Sequence, residues 1–151
     1  MTREISNLLP VGETYEAVRD AFVWDLPNDL NMAHEVCDRW AEADPDRLAI
    51  MDRTGDDDRS IRFSELRAMA DRLAAYLQTV GVSRGDRVGV LRRQSPWTAA
   101  AHIAVWKLGA ISLPLSPLFA SGALTSRLSD AGANFVVTDH AGAERLAELD
   151  L

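Results

Sequence analysis

Apolar residues in the second half of the chain arrive in two alternating rhythms. Short continuous runs, "RVGVL" at 87–91, "AISLP" at 110–114 and "NFVVT" at 134–138, have the length and β-branched content of buried strands. Between them lie stretches with helix signals. Ser95-Pro96 is a cap followed by proline at the first helical position, and it predicts a helix over 96–108. That helix, "WTAAAHIAVWKL", is apolar on nearly every side and should be buried. A further helix is expected at about 121–131, ending at Gly132, and an acidic one, "AGAERLAELDL", ends the chain. Strand–helix alternation of this kind implies a parallel sheet with right-handed crossovers. The fold class is α/β, with a parallel βαβαβ core.

The first half reads differently. Asn31 caps a helix reaching about Ala43, with Ala33, Val36, Cys37, Trp40 and Ala41 at helical spacing. "LAIMD" (48–52) and "SIRF" (60–63) suggest a hairpin across the turn "RTGDDDR". Ser64 is the expected cap of the helix "SELRAMADRLAAYLQTV", whose apolar residues fall on one face and which Gly81 closes. Gly81, Gly85 and Gly89 precede and enter a strand, whereas a phosphate-cradling loop follows a strand, so they are expected to punctuate turns. Residues 1–30, with Pro10, Gly12 and Pro27, are expected to form an irregular arm packed over the body through Tyr15, Phe22 and Trp24. Residues 31–151 form a single α/β segment.

Composition narrows the partners. The chain has 151 residues, 47% hydrophobic and 26% charged, as in an ordinary one-domain protein. No apolar run approaches the roughly 18–20 residues that span a bilayer, and no basic-then-apolar leader opens the chain, so a cytoplasmic location is expected. A net charge of −7 disfavours nucleic acid and anionic membranes alike. Lys107 is the one lysine beside fifteen arginines, most of which are expected to solubilise the surface. Cys37, the only cysteine, reads as a buried structural thiol. His34, His102 and His140 lack metal-ligand spacing, and His102 reads as a hydrogen-bonded core residue. Asp56 to Asp58 lie on a turn with no matching ligand downstream and read as a solvated tip. No metal site is expected.

Ligands of parallel sheets bind beyond the carboxyl ends of the strands. Those ends are "RRQS" (92–95), "LSPLF" (115–119), where Pro114 and Pro117 bend the chain, and "TDH" (138–140). At these residues the chain resembles the start of the large domain of adenylate-forming enzymes, the superfamily of acyl-CoA synthetases, luciferases and nonribosomal peptide synthetase adenylation domains. "RFSEL" matches an early aromatic-x-Glu-Leu motif, and "WKLGAISLPLS" matches a Lys-x-Gly-Ala…Pro motif. The segment "FVWDLPNDLNMAHEVCDRWA" followed by "DPDRLAI" is most similar to acetyl- and medium-chain acyl-CoA synthetases.

The resemblance implies chemistry that joins a carboxylic acid to ATP, with Mg2+, and passes the acyl group to CoA. It also implies a Gly/Ser/Thr-rich triphosphate loop and a catalytic lysine in a C-terminal domain. Neither occurs in these residues, and Lys107 matches a helix position instead. No catalytic residue is therefore expected here. The expectation is a truncated N-terminal portion, inactive alone, with ATP, Mg2+ and CoA bound mostly by residues outside it. By the same resemblance, Leu118 and Phe119 would lie near the acyl/pantetheine tunnel, although Phe119 could equally pack the start of the next helix. A stand-alone, non-catalytic binding or assembly module of the same fold is the alternative. A phosphoryl-accepting receiver built on Asp139 fails, because Lys107 sits within a helix and does not end a strand. Uncovered strand edges suggest self-association, or pairing with the rest of such a domain.

Overall fold

The computed structural model describes residues 10–24, 26–27, 29–54 and 58–149. They fall into two compact units, Met1–Leu30 and Asn31–Leu151. The first is not wholly irregular, as it contains the helix α1 (Tyr15–Ala21), whose first turn is capped by the Thr14 hydroxyl accepting from the Ala17 amide. After it, the rings of Phe22 and Trp24 meet edge to face at 5.0 Å.

The second unit begins at Asn31. Its side-chain oxygen accepts from the Ala33 amide at 2.9 Å, and its amide nitrogen donates to the Trp106 carbonyl at 3.0 Å. A wide π-helical turn, His34–Asp38, then runs into α2 (Arg39–Ala43), with Ala33 and Cys37 fully buried. The strands β1 (Leu48–Asp52) and β2 (Arg59–Arg62) pair antiparallel, Asp52 opposite Arg59. Of the hairpin tip, Asp56 and Asp57 lie outside the described residues; Asp58 is exposed and 3.6 Å from Arg53.

The helix α3 (Phe63–Thr79) is capped by Arg62, whose amide donates to the Glu65 carboxylate at 2.8 Å, and not by Ser64. Strand β2 runs straight into the helix, so its last residue becomes the cap. The amides of Phe63 and Ser64 are already satisfied by the carbonyls of Arg47 and Pro45, which removes the need for a hydroxyl there.

Beyond Gly81 and Gly85, whose φ angles of 101° and 87° require glycine, the alternation follows as read. The elements are β3 (Arg87–Leu91), α4 (Pro96–Lys107), β4 (Ile111–Leu115), α5 (Ser121–Ala131), β5 (Phe135–Thr138) and α6 (His140–Ala147). The strands form one parallel sheet in the order β4-β3-β5. Val88 packs with Ala74 and Leu77 of α3 and Ala104 and Val105 of α4, while Leu91 and Leu115 pack with Leu124 and Leu128 of α5 on the other face. Each such buried leucine contributes roughly 1.5–3 kcal/mol. α4 is apolar all round because it is covered twice: Ala100 and Ile103 face Cys37, Ile61 and Leu66, and Ala104 and Val105 face the sheet.

Two readings are corrected by packing. Gly89 does not punctuate a turn; a Cβ there would lie 3.2 Å from both Leu115 and Val136 and 3.3 Å from Leu128, so it makes room for the side chains of the flanking strands and of α5. Arg87 does more than solubilise, since it donates to the carbonyls of Ala131 and Gly132 at 2.8 and 2.9 Å and so caps the carboxyl end of α5. Pro114 does not bend the chain as expected: it falls within β4, opposite Val90, on an outer strand among the described residues, where a missing N–H is tolerated. Among the described residues no helix is long and apolar enough to cross a membrane.

Candidate functional site

Two of the three anticipated rims meet in one cleft of about 530 Å³. β3 delivers Arg92, Arg93 and Gln94 on one side, the bend after β4 delivers Ser116 to Phe119 on the other, and Thr98 and His102 of α4 form the floor. The two rims converge because β3 and β4 are adjacent, with Val90 opposite Pro114 and Leu91 opposite Leu115.

The third rim is committed to structure. The Thr138 hydroxyl donates to the Leu91 carbonyl at 2.7 Å, and the Asp139 carboxylate accepts from the Gly142 amide at 3.0 Å, capping α6. Thr138 faces a separate depression beside Tyr76, Trp97 and Phe135.

The bend carrying Leu118 is held from both sides. The Leu118 amide donates to the Ser116 hydroxyl at 3.1 Å. Arg145 of α6 donates to the carbonyls of Pro117 and Phe119. Leu118 itself is 93% exposed at the mouth of the cleft. Phe119 lines the cleft and also packs against the cluster of Leu91, Leu115, Leu124 and Leu128, with the Arg127 guanidinium 4.3 Å from its ring centre. Leu118 is thus free to meet a ligand, while Phe119 is partly occupied in anchoring the bend.

His102 is hydrogen-bonded, its Nδ1 2.5 Å from the Ser112 hydroxyl, and it also faces the cleft. Burial holds its pKa below the ordinary 6.5, favouring the neutral ring. Arg92 donates to the Thr138 carbonyl at 3.0 Å, while its Nε is buried without a partner. Lys107 stands away from the cleft's lining. Its Nζ lies 2.5 Å from Asp38 and 2.9 Å from Asp71. Burial alone would lower its pKa, but the hydrogen bonds and charges of those two carboxylates outweigh burial and raise it.

The sequence placed Arg92 and Arg93 on a candidate rim through "RRQS" (92–95), but missed Arg145 as the residue that holds the facing bend. Among the described residues no group of three or more His, Cys, Asp or Glu could hold a metal ion, so these residues do not fit a magnesium site.

A sequence model of the family described as "AMP-binding enzyme" matches residues 37–150. Acetyl-coenzyme A synthetase 2 of Zygosaccharomyces bailii is 38% identical over 117 residues, covering 76% of this chain and 17% of that protein. Propionate–CoA ligase of Escherichia coli (strain K12) is 32% identical over 147 residues, covering 93% of this chain and 23% of that protein. The crystal structure of a Brucella canis acyl-CoA synthetase superposes with a TM-score of 0.77 at 31% identity, over 85% of this chain and 23% of that one. The chain therefore spans about a fifth of the length of these relatives.

Proposed function

Because the chain belongs to the AMP-binding enzyme family, we propose that it is the opening segment of the large domain of a cytoplasmic, AMP-forming acyl-CoA synthetase for a short carboxylic acid. In the complete reaction, the acid's carboxylate oxygen attacks the α-phosphorus of ATP and pyrophosphate leaves. The CoA thiol then attacks the acyl carbonyl and AMP leaves. One observation carries the reading: "RFSEL" at the start of α3 and "WKLGAISLPLS" across α4 and β4 occur in family order within one α/β layer. The named activities of the relatives, acetyl-CoA and propionyl-CoA synthesis, support a short acid. The buried, unpaired Cys37 suits a reducing compartment.

In this reading Leu118 meets the acyl or pantetheine chain and Phe119 supports it from below. ATP, Mg2+ and CoA serve the complete enzyme, with the triphosphate loop and the catalytic lysine supplied by sequence other than these 151 residues. The isolated chain is accordingly inactive. Purified chain with acetate or propionate is expected to give no ATP–pyrophosphate exchange above buffer. Residues 31–149, grafted in place of the matching segment of the E. coli propionate–CoA ligase, are expected to support exchange with propionate. Exchange by the isolated chain, or none by a folded graft, overturns the reading.

Outer strands β4 and β5 each have an edge paired with no strand among the described residues, and Tyr76, Val80 and Trp97 are exposed near β5. These features support pairing with further domain sequence or, for the isolated chain, with a second copy. Sedimentation equilibrium is expected to show masses above 16.6 kDa at high concentration; a monomer throughout refutes the pairing.

A further inference from the structure

The bend from Ser116 to Phe119, which walls one side of the cleft, lies beyond the last residue of β4 and joins no sheet. Its own amides are spent locally. The Leu118 amide donates to the Ser116 hydroxyl and the Phe119 amide to the Ser116 carbonyl, each at 3.1 Å, while Pro117 has no N–H to give. Contacts from side chains therefore tie this segment to the rest of the fold. The Phe119 ring packs with Leu91, Leu115, Leu124 and Leu128. The Arg145 guanidinium donates one N–H to the Pro117 carbonyl and another to the Phe119 carbonyl, one on each side of Leu118. Leu118 is almost fully exposed, so its own packing does little to place it.

We propose that Arg145 is a positioning residue for this cleft: by clamping the carbonyls on both sides of Leu118, it sets where that side chain stands at the mouth and so how well a substrate chain is held. The inference rests on the ligase reading of Leu118 above and adds to it a residue outside the cleft's lining. Arginine suits the task because its planar fork presents several N–H donors in fixed directions, whereas a lysine ammonium is a point donor on a flexible stem. The clamp also gives the third strand end a part in the site. Asp139 caps α6 by accepting from the Gly142 amide, which fixes the helix at the end of β5 and brings Arg145, further along it, to the bend. A group misplaced by about 1 Å can cost up to about 100-fold in rate, so a clamp remote from the chemistry can still govern it.

Arg145→Ala and Arg145→Lys test the clamp at two levels. In ¹⁵N-labelled chain, Arg145→Ala should loosen the amides of Ser116, Leu118 and Phe119, their heteronuclear NOE falling by about a third or more, while the amides of β3 and α4 keep native values. A bend as ordered as in the native chain overturns the proposal, whatever the kinetics show. In the graft of residues 31–149 into the E. coli propionate–CoA ligase, Arg145→Ala should raise the KM for propionate or for CoA about fivefold or more, with kcat within about twofold. A merely structural role would lower the active fraction, and hence kcat, at constant KM; unchanged KM for both substrates overturns the proposal. Adding Leu118→Ala to Arg145→Ala should raise KM by less than about twofold more, because both changes act through one contact, and fully additive effects count against that route. Arg145→Lys should recover less than about half of the loss, and full recovery would overturn the fork. A folded graft that is inactive with Arg145 intact overturns the ligase reading and not the clamp, which the comparison of bend amides decides by itself.

Discussion

Gly142→Ala sets helix propensity against packing, and the two make opposite forecasts. Gly142 lies in the first turn of α6, where alanine would ordinarily stabilise by up to about 1 kcal/mol. Its position in the fold forbids the gain. A Cβ there would lie 1.9 Å from the Thr138 hydroxyl oxygen and 3.2 Å from the Leu91 carbonyl oxygen. Thr138 would have to rotate and surrender its 2.7 Å bond to that carbonyl. The lost bond costs about 1 kcal/mol, and forcing an extra methyl into a filled space costs about 1–3 kcal/mol. After subtracting the full propensity gain, Gly142→Ala should destabilise by about 1–3 kcal/mol. Gly122→Ala is the control, since its Cβ meets nothing within 4 Å in the first turn of α5, and it should stabilise by a few tenths to about 1 kcal/mol. Urea unfolding followed by tryptophan fluorescence and circular dichroism, with m-values compared, measures both. In a Thr138→Ala background the penalty of Gly142→Ala should shrink by at least about 1 kcal/mol, because the clashing oxygen is gone. Gly142→Ala at or above wild-type stability would refute the packing argument.

Three further predictions concern ionisable groups. Asp38→Asn leaves Lys107, 15% exposed, with only Asp71 close by, and should destabilise by about 2 kcal/mol in the same unfolding assay. The raised pKa of Lys107 means its stabilisation is fully present below its ordinary value of 10.5 and is lost as pH rises through the folded value, so Asp38→Asn should flatten the alkaline decline. Burial chiefly, with Asp38 adding to it, pushes the Cys37 thiol up to about 11; native chain should resist thiol labelling at pH 8 and react quickly in denaturing urea, and rapid native labelling would contradict its burial. His102 has its pKa lowered by burial, so its contribution is present above the ordinary 6.5 and is lost as pH falls below it. His102→Gln, which can still bond Ser112, should reduce the loss of stability between pH 7 and pH 5; an unchanged slope counts against a neutral, buried ring.

Legibility along the chain followed the range of the interaction responsible. The Ser95-Pro96 start of α4 and the Gly132 end of α5 are local signals, and both stand where they were read, with Ser95 accepting from the Thr98 amide and Gly132 at φ 59°. The cap of α3 was misread because the carbonyls of Pro45 and Arg47 that replace a hydroxyl come from a separate turn of the chain. Gly89 was misread for a related reason: what excludes a side chain there belongs to β4, α5 and β5, all distant in sequence. At the cleft, the proline bend announced a strand end and so led to Leu118 and Phe119. Nothing local indicated that Arg145 would reach back across 26 and 28 residues to hold that bend.

The sequence alone determined the alternation of strands and helices, the parallel sense of the sheet and the family, because each rests on periodicity, caps or ordered motifs within short windows. Tertiary structure alone decided the strand order β4-β3-β5, and with it which two strand ends share a cleft and which one is closed off by Thr138 and Asp139. It also decided that Arg92 and Arg93 would border the same cleft as Pro114, Leu118 and Phe119. Pairing order and the electrostatic surroundings of a side chain are set by contacts between residues far apart in the chain, and they come into being only when the sheet closes.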